Sequence, residues 1–380
     1  MKIILVGEYS RLHNSLKEGL IKNGHEVLLI GNGDSFKQYP IDINTDARFI
    51  KNNFLLNKAR HLIHKITKFD IAAIETTIRF NRYKELLKDN DVVQLINESP
   101  FSIGYHSEKR LLKFLFENNK NVFLSACGDD YKSISYYLKD ELKYHILTPY
   151  LENKNLSKRF QYSLQYTTPL YKKLHEYVYH NVKGVIPSDI DYVFPLKDEP
   201  LAKSLIPNPI NTDIIAYSPI EINDKIVIFH GINKEGALKK GNQYFTDALE
   251  IIKQKYPEKV EIITTYSLPY NEYLKQYKKA HILLDQVFAY DQGYNALEAM
   301  AAGKVVFTGA EKEFMDHYGL KEPVAINALP DVKDIAKNLE KLILNPEEIV
   351  AISKRARKFI EKHHYYIKVA QKYMDTWMNS

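Results

Sequence analysis

Apolar residues in this chain fall in short unbroken runs, with little strict alternation. In the first half the runs lie at 2–7, 26–30, 91–96, 121–125 and 183–187. In the second half they lie at 225–229, 260–264, 280–285 and 305–307. Runs of this length without alternation predict strands buried on both faces of a parallel sheet. Between them the spacing becomes helical, as in Leu12, Leu16, Gly19 and Leu20, or Phe245, Ala248, Leu249 and Ile252. Strands alternating with helices predict doubly wound α/β domains, in which ligands gather where strands end. Several strand exits are rich in Gly and polar residues, among them Glu8-Tyr9-Ser10-Arg11 and Ala126-Cys127-Gly128-Asp129-Asp130.

The stiffest punctuation is Ile206-Pro207-Asn208-Pro209-Ile210-Asn211. Two prolines around an Asn make an extended connector, as between domains. The chain therefore divides into a domain at 1–205, a linker at 206–222 and a second domain from 223.

Residues 285–309 read DQVFAYDQGYNALEAMAAGKVVFTG. Strong helix formers fill 295–302, and Gly303 stands where a left-handed residue would end the helix. Gly293 admits close approach of a ligand to the backbone, and the free N–H groups after it, at Tyr294 and Asn295, suit an anion. Glu298 lies one turn in, within reach of a ribose beside that anion. The plain alternative is a strand–turn–helix unit of any α/β protein.

This stretch resembles the donor-site signature of GT-B glycosyltransferases, in particular the retaining family 4. The pattern E-G-x-G-x-x-x-L-E-A-M-A-x-G-x-P-V-V is matched at Gly293, Leu297, Glu298, Ala299, Met300, Ala301, Gly303, Val305 and Val306. Tyr290 stands where the family has its first Glu, and Lys304 leads straight into Val305 without the proline. The resemblance implies an α/β GT-B fold, two facing Rossmann-like domains with a cleft between them. It implies that Glu298 holds ribose hydroxyls. The sugar-facing role of the first Glu has no direct heir, and Asp291 or Gln292 could take it from a shifted loop. The V-G-R and K-G segments of the family correspond to His230-Gly231 and Lys240-Gly241, with Lys234 or Lys239 standing in for the arginine that faces the diphosphate. A closing helix at 365–380, after a second domain at 223–364, would return to the first domain.

In the first domain the resemblance places Glu8 beside the donor phosphates and Asp129 near the reacting centre. Turn and cap chemistry is the rival reading for Glu8, and capping of the helix from Tyr131 by Asp129 or Asp130 is the rival for Asp129. The implied activity is transfer of a sugar from a nucleotide-diphospho-sugar to a sugar or lipid-linked acceptor, with Lys240 countering charge on the leaving group; the alternatives are a sugar-nucleotide epimerase on the same fold and a catalytically silent nucleotide-sugar-binding protein, the latter suggested by Tyr290. No cofactor and no metal is expected. Asp189 and Asp191 form a D-x-D, read as structural because three residues match easily by chance.

Composition narrows the picture. Cys127 is the single cysteine, so no internal disulfide or cysteine-based zinc cluster can form. Gly7, Gly31 and Gly33 do not make G-x-G-x-x-G, which argues against NAD. A net charge of +6 suits an anionic substrate or membrane surface, whereas no dense basic arm points to nucleic acid. No apolar run spans a bilayer, and the short apolar start reads as a strand, so a cytoplasmic location is expected. The segment 53–69 sets Leu55, Leu62, Ile63, Ile66 and Phe69 against Lys58, Arg60, His61, His64, Lys65 and Lys68. It reads either as a packed helix with a solvated basic face or as one that lies on anionic lipid.

Overall fold

The computed structural model describes residues 1–34, 37–67, 69–268 and 270–380. Lys68, assigned above to the basic helix, lies outside the described residues.

Two parallel sheets form the frame. The first holds β1 (Lys2–Val6), β2 (Glu26–Gly31), β3 (Ile43–Asn44), β4 (Val92–Leu95), β5 (Val122–Ala126) and β6 (Gly184–Pro187), in the order β3-β2-β1-β4-β5-β6. The second holds β7 (Ile226–Ile232), β8 (Val260–Tyr266), β9 (Ile282–Leu284), β10 (Val305–Thr308) and β11 (Ile326–Asn327), in the order β11-β10-β9-β7-β8. The strands expected from apolar runs are all present. The two short edge strands β3 and β11 were not expected, because two residues carry no periodicity to read.

Central strands β1, β4, β5, β9 and β10 are buried almost throughout, as doubly covered parallel strands must be. The register pairs Ile4 with Leu28 and Val93 in the first sheet, and Phe229 with Ile263 and Leu283 in the second. Reversal of strand order beside β1 and beside β7 opens a crevice at the carboxyl ends of each sheet.

Two segments cross between the lobes, and they hold each other. Ile210 and Tyr365 pair in parallel, with Ile210 N–H donating to His364 O (2.7 Å) and Tyr366 N–H to Ile210 O (3.2 Å). The helix Pro346–Phe359 does not run on unbroken; a π-helical turn at Ile360–His364 ends it. A new helix, Tyr366–Met378, then packs on helix Leu12–Lys22 of the first lobe. Val369, Ala370, Tyr373, Met374 and Trp377 join Leu16, Leu20 and Phe123 in one apolar cluster.

Gly19 sets the distance of that contact. A Cβ there would stand 2.4 Å from Tyr366 O and 2.8 Å from Ala370 Cβ. The Gly19→Ala substitution gains some helix propensity but forces the helices apart. It should destabilise by roughly 1–3 kcal/mol net in urea unfolding, the usual size of overpacking. An unchanged midpoint would show that the two helices can separate freely.

Candidate functional site

Strand ends of the two lobes face each other across a cleft of about 390 Å³. The first lobe contributes Tyr9, Ser10, Asp34, Gly128, Asp129 and Asp189 to its lining, together with Tyr162 and Tyr166 from the tyrosine-rich segment. The second contributes Lys239, Gly293 and Tyr294. A cavity of about 370 Å³ runs elsewhere, along one face of the edge strand β8. It runs the length of that one edge strand as far as Tyr266, whereas exits of strands from both lobes meet at the interlobe cleft, which is the candidate site.

The second-lobe wall is built from β9 and the helix Tyr294–Ala301. Gly293 precedes that helix as an extended residue, and Gly303 ends it at φ +89°. N–H groups of the first turn have no partner within the helix, and they open toward Gly293. Asp285, at the carboxyl end of β9, is almost wholly buried. Its Oδ1 accepts from Lys240 Nζ (2.7 Å) and from Asn295 Nδ2 (2.9 Å). Its Oδ2 has no partner among the described residues and stands 4.0 Å from where a Cβ on Gly293 would lie.

Lys239 and Lys240 end a short helical turn at Ala237–Lys240. Gly241 follows in the left-handed region at φ +65°, with Val287 Cγ2 only 2.2 Å from a hypothetical Cβ. No other residue could make that turn against that neighbour, which is the physical content of the K-G pair. Lys239 reaches across the cleft to Asp129 Oδ2 (2.6 Å), which also accepts from Ser163 Oγ (2.5 Å). Asp129 therefore bridges the lobes. Asp130 is the cap of helix Tyr131–Tyr137, in a reciprocal pair with Ser133.

Glu298 is partly buried, and burial raises its carboxyl to about 7. Arg11 and Lys37, both from the first lobe, act against that rise. The Glu298 carboxyl thus lies within electrostatic range of the first lobe.

Residues 237–375 match the family model described as glycosyl transferase-like. Anabaena HepE, crystallised with UDP and glucose, superposes with a TM-score of 0.59 at 10% identity, covering 100% of this chain and 99% of that one. Sucrose-phosphate synthase from Thermosynechococcus elongatus gives 0.56 at 13% identity, covering 100% of both chains. UDP-GlcNAc 2-epimerase from Neisseria meningitidis gives 0.54 at 12% identity, again covering 100% of both. The chain has the GT-B fold, and residues 237–375 are similar to the glycosyl transferase-like family. No curated protein matches it in sequence.

The side chains of several residues expected at the GT-B cleft are taken up by structural contacts. Glu8 is buried, and its Oε2 accepts from the backbone N–H (2.8 Å) and side-chain amide (2.6 Å) of Asn14. It caps the first turn of helix Leu12–Lys22, since those N–H groups need an acceptor. His230 faces inward from β7, packs on Phe245 and is fully buried, which lowers its pKa to about 4. It is neutral at pH 7 and adds no charge to a phosphate site. Gly231 lies within β7, paired with Thr265. Lys234 is exposed and lies over the Tyr266 ring, at the edge strand. The side chain of Tyr294 serves the lobe contact: its hydroxyl donates to Pro209 O (2.7 Å) and lies 2.6 Å from Ser15 Oγ. Asn295 orients Asp285.

Tyr290 is buried against Phe194 and Tyr144, with ring centroids 4.9 and 5.4 Å away. Asp291 and Gln292 do not replace the missing Glu. Asp291 accepts the Ile190 N–H (3.1 Å), and Gln292 Nε2 donates to Gly309 O (2.7 Å), so both are taken up by backbone groups. The D-x-D meets this same loop: Asp191 accepts the N–H groups of Tyr290 and Asp291, each at 3.1 Å. Among the described residues no cluster has the make-up to hold a metal ion. Asp285 was missed as a site residue; it could have been found as an acid ending a buried strand.

Burial, then Asp191 and Asp291 nearby, pushes the Asp189 carboxyl well up. The folded protein keeps a proton that the unfolded chain releases near pH 4, so this group costs stability increasingly as pH rises. Asp189→Asn should raise the melting temperature by about 2–4 °C at pH 8 and by less at pH 5, followed by calorimetry. A loss of equal size at both values would mean that the carboxylate is favourably held.

Proposed function

We propose that this protein transfers a sugar from a nucleotide-diphospho-sugar to a hydroxyl acceptor, with retention at the anomeric carbon and without a metal. The observation that carries the reading is the convergence at one wall of the cleft. The open end of helix Tyr294–Ala301, the Lys240–Asp285 pair and Glu298 lie within one helical turn of each other. Such a wall suits a diphosphate flanked by a ribose on one side and a polyol on the other.

Departure of the sugar leaves charge on a diphosphate oxygen. Helix N–H groups and the ammonium of Lys240 would stabilise it, each worth roughly 3–4 kcal/mol in the barrier. Lys239 would serve too, once a phosphate replaces Asp129 as its partner. The free Oδ2 of Asp285 is an acceptor in want of a donor, which a sugar hydroxyl supplies. On this reading Asp285 carries the sugar-facing role for which Tyr290 is unsuited. The acceptor would enter from the first lobe, past Tyr162 and Tyr166. Cell-surface polysaccharide or glycolipid is the product class that a sugar or lipid-linked acceptor would give.

An epimerase is the second reading, favoured by the buried Tyr290 and by the likeness to an epimerase fold. It would turn over donor alone, whereas a transferase needs an acceptor.

Titration calorimetry with UDP-, GDP- and ADP-glucose, each beside its nucleoside diphosphate, tests the reading. Glu298→Ala should weaken both ligands of the preferred base about tenfold or more, the cost of a charged hydrogen bond. Unchanged affinity would remove the nucleotide from this wall. Because the free Glu298 carboxyl titrates at about 7, binding of the nucleotide-sugar should strengthen between pH 6 and 8 and flatten in Glu298→Gln. Asp285→Asn should lower the advantage of nucleotide-sugar over nucleoside diphosphate while sparing the latter, since its amide oxygen still receives Lys240.

A further inference from the structure

Helix Phe54–Thr67 has no buried residue, although it carries seven Phe, Leu, Ile and Ala side chains. Leu55, Leu62 and Ile66 share one face by their spacing of seven and four, and they are 73%, 61% and 74% exposed. Phe49 and Phe54, before and at the start of this helix, are 67% and 70% exposed, and Ile74 and Ile78 of the next helix in the chain, Ala72–Asn81, are half exposed. A helix that leaves its apolar face open along its whole length marks a surface that something covers.

The charge around the patch says what covers it. Residues 46–82 hold eight Lys and Arg (Arg48, Lys51, Lys58, Arg60, Lys65, Lys68, Arg79, Arg82) against Asp46, Asp70 and Glu75, a net +5. The whole chain carries +6. The three acids are taken up by Lys51, Arg60 and Arg79. Lys58 and Lys65 flank the apolar face seven residues apart, and Lys58 lies over the Phe54 ring at 4.4 Å.

We propose that this face, built on helix Phe54–Thr67, docks the protein on the surface of an anionic lipid bilayer. A second copy of the chain would bring +5 against +5, so self-association is disfavoured. Among the described residues no helix is long and apolar enough to cross a membrane, so the contact is one of surface insertion. The helix lies flat, its Leu and Ile side chains in the acyl boundary and its lysines among the headgroups. The face also adjoins the cleft mouth: it follows the carboxyl end of β3, and Arg48 donates to Gln38 in the loop after β2 (2.6 Å). The docking inference stands apart from the reading of the cleft; if both hold, a lipid-linked acceptor would meet the cleft without leaving its membrane.

Vesicle co-sedimentation of the full chain tests this, with phosphatidylcholine alone and with about one third phosphatidylglycerol. The wild type should pellet with the anionic vesicles and not the neutral ones, and release as salt rises. The double variant Leu62→Glu, Ile66→Glu should partition roughly tenfold more weakly or worse, with an unchanged melting temperature because neither side chain is packed. Wild type left in the supernatant with anionic vesicles, or a double variant that pellets equally, would overturn the proposal. So would light scattering that shows a dimer of the wild type, lost in the variant, with no vesicle binding.

Discussion

Two loops that cannot satisfy their own backbone hold this fold together. Residues 285–293 leave β9 and must stay irregular to make one wall of a cleft; residues 188–191 leave β6 to make another. Each then carries buried N–H groups without a partner in its own lobe, a debt that folded proteins settle almost without exception. Here each lobe supplies the other's acceptor. Asp191 takes the N–H groups of Tyr290 and Asp291, and Asp291 takes that of Ile190. The exchange fixes how close the lobes sit at the floor of the cleft. It also crowds Asp189, Asp191 and Asp291 into one buried region, which raises all three carboxyls.

That exchange marks where the sequence stopped being legible. The strands were readable because doubly covered parallel strands leave unbroken apolar runs, and Gly303 was readable because a left-handed helix end favours glycine. The helix carrying Glu298 was readable by its resemblance to a known signature. Asp191 was not, because its partners lie about a hundred residues away and a D-x-D has no local meaning. His230 was misplaced for a related reason: alternation along β7 decides which side chains face inward, and a strand buried on both faces gives no polar marker of that choice. Glu8 was open between a cap and a site, and the position of Asn14 in the first helical turn decided it.

The second-lobe wall is built around carboxylates that hold its cations still. Lys240 is bound by Asp285 and Lys239 by Asp129. A lysine is a flexible cation with a large rotamer entropy to lose on binding. Pairing it beforehand settles much of that loss during folding, at the cost of a competitor that an incoming phosphate must displace. The two pairs differ in kind. Lys240 and Asp285 belong to one lobe and form a fixed dipole beside the helix end. Lys239 and Asp129 belong to opposite lobes, so a ligand that takes Lys239 also breaks a strut across the cleft, and ligand binding is thereby coupled to the separation of the lobes.

A consequence follows for the reading of net charge. An excess of +6 invites the thought of an anionic substrate drawn to a basic site. Yet at the site Lys239 and Lys240 are each matched by a carboxylate, Arg11 and Lys37 are paired with Glu18 and Asp34, and burial raises the carboxyls of the floor. The cations of the cleft are thus largely balanced, while +5 of the excess sits on residues 46–82, around an apolar face. Long-range attraction therefore acts at that face and not at the cleft, where short-range geometry must supply the affinity. An anion finds its place in the cleft through oriented N–H groups and exchanged partners, which salt screens little; an anionic surface finds the exposed helix through charge, which salt screens strongly.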